Sequence, residues 1–443
     1  MKILKSIFFV SILFLCSFFS EAQTKNKTSL DSLFNKIESE NKAMGTVSIF
    51  EDGKEVYQKS LGFSNLKTNK KPNKTTKFRI GSITKTFTAT IIMQLIDEGK
   101  LTLNTLLKEY FPEIPNANKI TIEDLLRHQS GLANITKDKT IRSWITKPQS
   151  RKQMINRFIK NGIDFEPKQK SEYSNTNFII LSYIVEKIDK KSFAKVLKNR
   201  ITKPLQLKRT EFGKAIKSKN NEALSYYFEN NKWNLITIQT NMSAPMGAGA
   251  IVSTSHELNV FFNNLFSEKL ISEASLKKLM TIKNGLGLGI MQFDFKGLKV
   301  FGHDGSIDGF QSYALHIPKK NISIAFTFNG FNTMTMPTVI SILDRYFKND
   351  STLKKKATIS LKSEELDVYL GVYSSKTFPA KVTFTKKGNT LFAQATGQPI
   401  FKLISPKKDS FMYDAMGIRF DFNLKNKTME LTFGGNKHIL KKE

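Results

Sequence analysis

Residues 78–101, FRIGSITKTFTATIIMQLIDEGKL, have the pattern of a single helix. Apolar side chains recur there at helical spacing, at Ile80, Ile83, Phe87, Ile91 and Leu95. Gly99 is a suitable C-terminal stop, because glycine adopts the left-handed backbone conformation that often ends a helix. The stretch therefore predicts an amphipathic helix that opens on Ser82 and carries Lys85 three residues later.

The pair of Ser82 and Lys85 has two interpretations. Side chains at positions i and i+3 share one face of a helix, and a hydroxyl near a helix start lies in the positive field of the backbone dipole. This arrangement suits a nucleophile. A serine at this place is also a common helix cap, and S-x-x-K occurs seven times in this lysine-rich chain, so other parts of the sequence must decide.

The segments on either side of this helix predict a mixed fold. Thr46–Phe50 and Glu55–Ser60 flank Asp52-Gly53, a pair that favours a tight hairpin turn, and strand patterns return at Phe310–Ile317 and Ile322–Phe328. The middle of the chain, about residues 120–279, reads as a mostly helical insertion. We expect an α/β (α+β) domain with an antiparallel sheet flanked by helices and closed by both chain ends.

The C-terminal part has a different pattern. Residues 348–360 are rich in lysine and read as a linker. Beyond them, residues 361–443 hold short alternating runs separated by turns, which is typical of a small β-barrel or sandwich. The domain prediction is a signal peptide over residues 1–22, a larger domain over residues 23–347, this linker, and the small β-domain.

The first residues have the pattern of an export signal. Lys2 and Lys5 precede an apolar run at residues 7–19, and Ala22 offers a small residue for cleavage. The run is too short for a comfortable membrane span. We expect an exported protein, periplasmic or extracellular, with no membrane span in the mature chain. Since Cys16 is the only cysteine, the mature chain has no disulfides.

The charge balance is strongly basic, with 69 Lys and Arg against 38 Asp and Glu, a net charge of +31. A protein with such a balance could bind nucleic acid, acidic lipid or an acidic cell-wall polymer. The lysines are scattered, however, and no zinc-finger or RNA-binding signature accompanies them. The basic character is therefore interpreted as a composition bias, and nucleic acid is not expected as a partner.

Two rarer patterns accompany Ser82 and Lys85. Tyr173 is the only one of eleven tyrosines with an asparagine two residues on, Asn175, in SEYSNTNF at residues 171–178. His303 is the only one of five histidines that starts an H-x-G, with Gly305, in FGHDGSIDGF at residues 301–310. The histidines show no metal-binding spacing, so neither a metal nor another cofactor is expected.

With these three patterns in this order, the sequence resembles the serine β-lactamase and penicillin-binding superfamily, in particular its class C β-lactamase and D-alanyl-D-alanine carboxypeptidase branch, which also holds esterases. Three further segments are similar to family sequence: IEDLLRHQSGL at residues 122–132, MGAGAIVST at 246–254 and GLGLGIMQF at 285–293. The resemblance covers about residues 30–347. It implies the β-lactamase/transpeptidase-like fold and attack by a serine on a carbonyl.

The resemblance also implies roles for individual residues. Ser82 is the nucleophile, Lys85 its base, and Tyr173 shares that role and passes the proton to the leaving group. Asn175 holds Lys85 and the substrate amide. The backbone N–H groups of Ser82 and Ser306 form the oxyanion hole. His128 is assigned to structure.

The sequence departs from the branch at position 303. β-Lactamases of this branch carry lysine there, whereas H-x-G resembles the peptidase and esterase members, so the fixed positive charge for a substrate carboxylate is missing. We expect a serine hydrolase that acts on D-amino-acid peptides, including cell-wall peptides. The alternatives are an esterase of the same family, a penicillin-binding-like sensor that does not turn over its substrate, or a cell-wall binding protein.

Overall fold

The computed structural model describes residues 27–283, 285–333, 335–348, 350, 353, 358–375, 378–397, 400–413, 417–433 and 436–443. The predicted export signal with Cys16 and part of the predicted linker lie outside these residues. The chain divides into two compact units. The first comprises residues up to 292 together with 300–333, and the second comprises residues 293–299 together with those from 334 onward.

Most helices belong to the first unit. They are α1 (27–39), α2 (Thr84–Asp97), α3 (Ile122–Leu126), α4 (Ile141–Trp144), α5 (Arg151–Asn161), α6 (Asn175–Asp189), α7 (Phe193–Leu197), α8 (Ser255–Phe266) and α9 (Glu273–Met280). Helix α10 (Thr335–Tyr346) groups with the second unit. Short 3-10 turns at Gly81–Ile83 and Met246–Ala248 are important for the site described below.

Strands lie at both ends of the first unit and throughout the second, as predicted, but four short strands at residues 211–253 also lie inside the middle that was predicted as mostly helical. Runs of two to four residues are too short to show a periodic pattern. Up to the junction the strands are β1 (Ala43–Glu51), β2 (Lys54–Leu61), β3 (Phe78–Arg79), β4 (Glu211–Phe212), β5 (Tyr226–Glu229), β6 (Lys232–Leu235), β7 (Ile251–Ser253), β8 (Met291–Phe295), β9 (Leu298–Ile307), β10 (Phe310–Ile317) and β11 (Ile322–Phe331). The rest are β12 (Gly371–Ser375), β13 (Phe378–Lys387), β14 (Thr390–Ala395), β15 (Phe401–Lys402), β16 (Ile404–Lys407), β17 (Ser410–Tyr413), β18 (Ile418–Asn423), β19 (Thr428–Phe433) and β20 (Asn436–Lys442).

The main sheet of the first unit is antiparallel along the order β2-β1-β11-β10-β9. Strand β1, from the start of the chain, pairs with β11, from the end of the unit, with Val47 opposite Phe326. Helix α8 packs on β1, β10 and β11. The predicted fold class, an antiparallel sheet closed by both chain ends and flanked by helices, is confirmed.

Helix α2 differs from the amphipathic helix predicted from its sequence, because it is buried on nearly all sides. Its threonines, which count as polar in a periodicity argument, bond to neighbouring segments. The Thr86 hydroxyl donates to the Gly289 carbonyl at 3.0 Å, and the Thr88 hydroxyl donates to the Gly247 carbonyl at 2.7 Å. A hydrogen-bonded hydroxyl can be buried at little cost, so the helix lies inside the domain.

The second unit contains a nine-stranded antiparallel sheet in the order β15-β14-β13-β12-β20-β19-β18-β17-β16. The two end strands β15 and β16 are separated in sequence only by Leu403, so the sheet curls around until its ends are adjacent. Its inward side chains form one apolar core that includes Tyr373, Phe384 and Phe420. This confirms the predicted all-β, barrel-like C-terminal part. The domain boundaries at residues 347 and 361 stay a prediction.

A helix needs about 20 consecutive apolar residues to cross a bilayer. Among the described residues, no helix is both long and apolar enough to do so.

Candidate active site

Ser82 lies in the 3-10 turn that leads from strand β3 into helix α2. The turn requires glycine at position 81, where φ is +51° and a Cβ atom would lie 2.7 Å from the Ser306 nitrogen. Only glycine adopts this left-handed conformation without strain and leaves room for the facing backbone. The turn that carries Ser82 therefore packs directly against strand β9.

Strand β9 makes room for this turn from its own side. A Cβ atom on Gly305 would lie 1.9 Å from the Ile80 carbonyl oxygen and 3.0 Å from the Ser82 nitrogen. The two glycines thus bring two backbone segments into close contact. The amides of Ser82 and Ser306 come from these two facing segments. Two backbone N–H groups in such an arrangement can stabilise the oxyanion of an acyl-transfer reaction.

The ammonium group of Lys85 lies fully buried beneath Ser82. It donates three hydrogen bonds, to Ser82 Oγ at 2.9 Å, to Asn175 Oδ1 at 2.8 Å and to the Ala248 carbonyl at 2.8 Å. An ammonium group has three donors, so all of them are used. Helix α2 supplies the lysine, the start of α6 supplies the asparagine, and the 3-10 turn Met246–Ala248 supplies the carbonyl.

The environment of Lys85 favours its neutral form. None of its three hydrogen-bond partners carries a charge. Burial lowers the pKa of Lys85 to about 7, although the negative charge of Asp304 opposes the shift. A buried ammonium group loses its hydration, and the charged and neutral forms of Lys85 are therefore both populated near neutral pH.

Tyr173 lies beside this pair. Its ring centroid is 4.8 Å from Lys85 Nζ. Burial raises the pKa of the Tyr173 phenol well above its ordinary value, and a hydrogen bond with Ser82 only partly opposes the rise. The phenol therefore keeps its proton at neutral pH. Of the two groups that the sequence offered as bases, Lys85 is the one that titrates in this range.

His128 has a more specific position than the structural role assigned to it from sequence. Its ring stacks on the Tyr173 ring with centroids 4.4 Å apart, and its Nδ1 accepts a hydrogen bond from the Ser174 amide at 3.1 Å. Burial lowers the pKa of His128 well below its ordinary value, and the charges of Lys85 and His303 lower it further. A neutral imidazole thus supports the Tyr173 ring and fixes the following backbone.

Asn134 is a second neighbour that the sequence analysis missed. Its side-chain oxygen accepts from the Asn175 amide at 3.1 Å and from Asn175 Nδ2 at 3.3 Å, and its Nδ2 donates to the Tyr173 carbonyl at 3.3 Å. Asn134 therefore holds the Asn175 side chain with its oxygen toward Lys85. No pattern in the sequence marks it, because the contact bridges 41 positions.

His303 lies on strand β9 and is 3 % exposed. Its Nδ1 is 2.6 Å from the Asp304 carbonyl oxygen. Since a carbonyl only accepts, Nδ1 carries a proton, and the neutral ring presents Nε2 as an acceptor. The ring centroid lies 6.3 Å from that of Tyr173, so His303 belongs to the same site.

The Asp304 carboxylate adds a negative charge that the sequence analysis did not consider. Burial alone would raise the pKa of Asp304, but its hydrogen bond and charge interaction with His303 lower it below the ordinary value. The carboxylate is therefore ionised at neutral pH. Its charge reaches both Lys85 and Tyr173.

A cavity of about 160 Å³ opens beside the nucleophile and contacts Ser82, Asn175 and Ser306. Apolar side chains form much of its remaining wall. A larger cavity of about 750 Å³, lined by residues such as Phe111 and Tyr183, contacts none of the candidate site residues. Among the described residues, no group of three or more His, Cys, Asp or Glu side chains is placed to hold a metal ion.

The structure thus brings together Ser82, Lys85, Tyr173, Asn175, His303, Gly305 and Ser306, the residues singled out from the sequence. A nucleophile with a hydrogen-bonded base, a phenol and two facing amides is the set of groups that acyl transfer requires.

Comparisons with known proteins agree on the fold. Residues 31–344 match the sequence profile of the Beta-lactamase family. Protein flp from Staphylococcus aureus (strain MW2) is 26 % identical over 326 residues, which cover 71 % of this chain and 65 % of that protein. This chain therefore spans slightly less than two thirds of the length of that relative.

Two solved structures are similar in fold. The D-amino acid amidase from Ochrobactrum anthropi SV3 superposes with a TM-score of 0.65 at 20 % identity, over 74 % of this chain and 99 % of that one. The octameric penicillin-binding protein homologue from Pyrococcus abyssi superposes with a TM-score of 0.64 at 21 % identity, over 94 % of this chain and 99 % of that one.

Proposed function

We propose, from the fact that this chain belongs to the Beta-lactamase family, that it hydrolyses amide or ester bonds through a covalent acyl-enzyme on Ser82. It is a serine hydrolase of the serine β-lactamase and penicillin-binding superfamily. The observation that carries the proposal is the buried Lys85 amine, 2.9 Å from the Ser82 hydroxyl and held by Asn175 and Ala248. A serine hydroxyl is a weak nucleophile until a base takes its proton.

The acylation step begins with the neutral form of Lys85. Its amine takes the proton of Ser82 as Oγ forms a bond to the substrate carbonyl carbon. The resulting oxyanion is stabilised by the amides of Ser82 and Ser306, and each such donor typically lowers the barrier by about 3 kcal/mol.

The tetrahedral intermediate then loses its leaving group. Tyr173 gives its phenolic proton to the leaving nitrogen or oxygen as the bond to carbon breaks, and the Lys85 ammonium restores the proton to Tyr173. Water then attacks the acyl-enzyme with the same groups acting in reverse. Proton count and charge balance over the cycle, and no cofactor takes part in these steps.

D-Amino-acid peptides, including cell-wall peptides, are the leading substrate class in this proposal. The support is the likeness to the carboxypeptidase branch and a fold shared with a D-amino acid amidase, so a D-amino acid amide is the first compound to test. We further propose that the chain is exported, on the pattern of its first 22 residues.

An esterase is the second candidate, and His303 favours it. The Nδ1 proton of His303 is directed to the Asp304 carbonyl, so it is not offered to a substrate carboxylate, and a histidine lacks the fixed charge of a lysine. Simple esters need no such cation. A β-lactam or a peptide with a free C-terminal carboxylate depends on one more strongly.

The test is a substrate screen with the intact protein, using D-Ala-D-Ala peptides, D-amino acid amides, short p-nitrophenyl esters and a chromogenic cephalosporin. We expect turnover of an amide or ester that Ser82→Ala abolishes. Acylation of Ser82 by one of these amides or esters that is not followed by release indicates the sensing protein instead. Turnover that persists in Ser82→Ala would contradict the proposal.

A further inference from the structure

The cavity beside Ser82 lies on one side of the nucleophile only. Ser82, Asn175 and Ser306 contribute to its wall. Tyr173 and His303, which lie beside Lys85 and beside each other, are absent from this wall. The site therefore has one side formed by the phenol and the imidazole, and another side formed by the cavity.

These two sides of the site can hold the two parts of a bound substrate, the leaving group and the acyl chain. The proposed proton donor to the leaving group is Tyr173, so the leaving group lies on the Tyr173 side. The carbonyl carbon bonded to Ser82 then directs its other substituent, the acyl chain, toward the cavity. We propose that this cavity binds the side chain of the acyl group and selects neutral, apolar side chains up to the size of a phenyl ring; this inference rests on the proposed function of Ser82.

The chemistry of the wall supports an apolar ligand. Large apolar side chains from four parts of the fold converge on it: Ile135, Ile141, Trp144, Ile145, Ile179 and Ile307. Among the described residues that form the wall, none is charged. A charged acyl group would lose its hydration there without gaining an ion pair, whereas an apolar group would gain by leaving water.

The wall is held in place by buried polar groups behind it. The Asp308 carboxylate accepts from the Thr240 amide at 3.1 Å and from the Thr240 hydroxyl at 2.7 Å, and it forms an ion pair with the buried Arg79 guanidinium. Arg79 also donates to the Thr240 carbonyl at 3.1 Å. Thr240 lines the cavity, so these bonds hold that part of the wall in place.

The size of the cavity sets the upper limit of the acyl group. Its volume is about 160 Å³, and an apolar protein cavity of about 150 Å³ is known to accommodate benzene. A phenyl group therefore fills it, while an acetyl group leaves most of it empty. Each methylene that fills an apolar pocket changes kcat/KM by roughly tenfold or more.

The test uses p-nitrophenyl esters that share one leaving group and differ in the acyl part: acetate, phenylacetate and the monoanionic glutarate. The spontaneous hydrolysis rate of each ester is subtracted, because the free carboxylate of the glutarate ester also attacks its own ester group. We expect kcat/KM for phenylacetate to exceed that for acetate by at least about tenfold, and glutarate to be the poorest. Equal values for phenylacetate and acetate would overturn the acyl assignment.

The variant Ile145→Lys places a cation in the wall. It should remove the preference for phenylacetate and raise kcat/KM for glutarate by about tenfold, as a charge-assisted contact allows. Ile159→Lys, at an isoleucine that is 38 % exposed and outside the cavity, should keep the order of the parent protein. If Ile145→Lys does not fold, Ile307→Lys makes the same test from strand β9.

The acetate ester separates the two claims, because an acetyl group needs no pocket. Suppose that p-nitrophenyl acetate acylates Ser82 in the parent protein and in all the lysine variants, but that these variants keep the parent's order of kcat/KM for the three esters. The acyl assignment is then wrong and the proposed function stands. If p-nitrophenyl acetate does not acylate Ser82 in the parent protein, the proposed function fails, and the acyl assignment fails with it.

Discussion

The Lys85 amine lies 2.9 Å from the Ser82 hydroxyl across a change of helix type, since Ser82 is in the 3-10 turn and Lys85 is in the first turn of helix α2. The helix starts after Ser82, and the N-cap residue Ile83 makes no side-chain cap hydrogen bond. The Ser82 side chain therefore does not cap the helix. Its hydroxyl is available to the lysine and to a substrate in the adjoining cavity.

The pKa of Lys85 predicts how acylation depends on pH. Because the base must be neutral, the rate with an uncharged ester should rise about tenfold per pH unit below pH 7 and level off above it. Lys85→Met should lose at least the roughly 10² to 10⁴-fold that a missing general base costs. Stopped-flow acylation from pH 5.5 to 8.5 measures both. Near-normal acylation by Lys85→Met would show that another group is the base.

The same burial predicts a stability effect. Lys85 has its ordinary pKa of 10.5 in the unfolded chain and about 7 in the folded one, so between these pH values the unfolded state binds more protons. Stability then rises with pH, by up to about 1.4 kcal/mol per unit from this group. Lys85→Met should have a higher Tm than the parent protein at pH 7, and this difference should shrink toward pH 9. Calorimetry would contradict the prediction if the difference stayed constant.

Gly305 is expected to tolerate no side chain. The Cβ atom of Gly305→Ala would lie 1.9 Å from the Ile80 carbonyl oxygen, which must push strand β9 away from the nucleophile turn. Loss of one oxyanion donor costs about 10²- to 10³-fold in kcat, and a loss of this size is expected. Gly388→Ala is the control for backbone strain without a clash, because φ is +56° there and a Cβ atom meets nothing within 4 Å. Equal activity of the two variants would contradict the oxyanion assignment.

His303 is expected to set how well a substrate with a free carboxylate is used relative to one without it. His303→Lys supplies a fixed cation, and the hydrogen bond of a charged pair is worth about 1.5 to 3 kcal/mol. At neutral pH the variant should use a carboxylate-bearing peptide at least about tenfold better, relative to its amidated partner, than the parent protein does. The ratio of kcat/KM values for the matched pair measures this. Rapid cephalosporin hydrolysis by the parent protein would argue against the assignment.

Much of the fold could be predicted from local patterns. The hairpin of β1 and β2 turns at Asp52 and Gly53, where φ is +49° and +75°, as an Asp-Gly turn predicts. The pattern on helix α2 was misleading, because the hydroxyls of Thr86 and Thr88 find acceptors on segments far away in sequence. Periodicity treats such residues as solvent-facing and does not detect their distant partners.

The site residues also divide into those that a local pattern predicts and those that depend on distant contacts. Ser82, Lys85 and Tyr173 stand in short, rare and ordered patterns, so sequence alone could propose them. His128 and Asn134 bond to residues 39 to 46 positions away, and their roles depend on how the intervening loops fold. The cavity wall could not be predicted either, because its isoleucines resemble ordinary core residues until the fold brings them together.

Covalent acylation of Ser82 is measured most directly by intact-protein mass spectrometry. The protein is mixed with a p-nitrophenyl ester, quenched within milliseconds to seconds, and digested to locate the added mass. We predict a transient acyl adduct on Ser82 that decays as product forms and is absent in Ser82→Ala. With an amide substrate, whose leaving nitrogen must be protonated, the adduct should build up more slowly in Tyr173→Phe. Turnover without an adduct, or an adduct on a residue other than Ser82, would contradict the proposed mechanism.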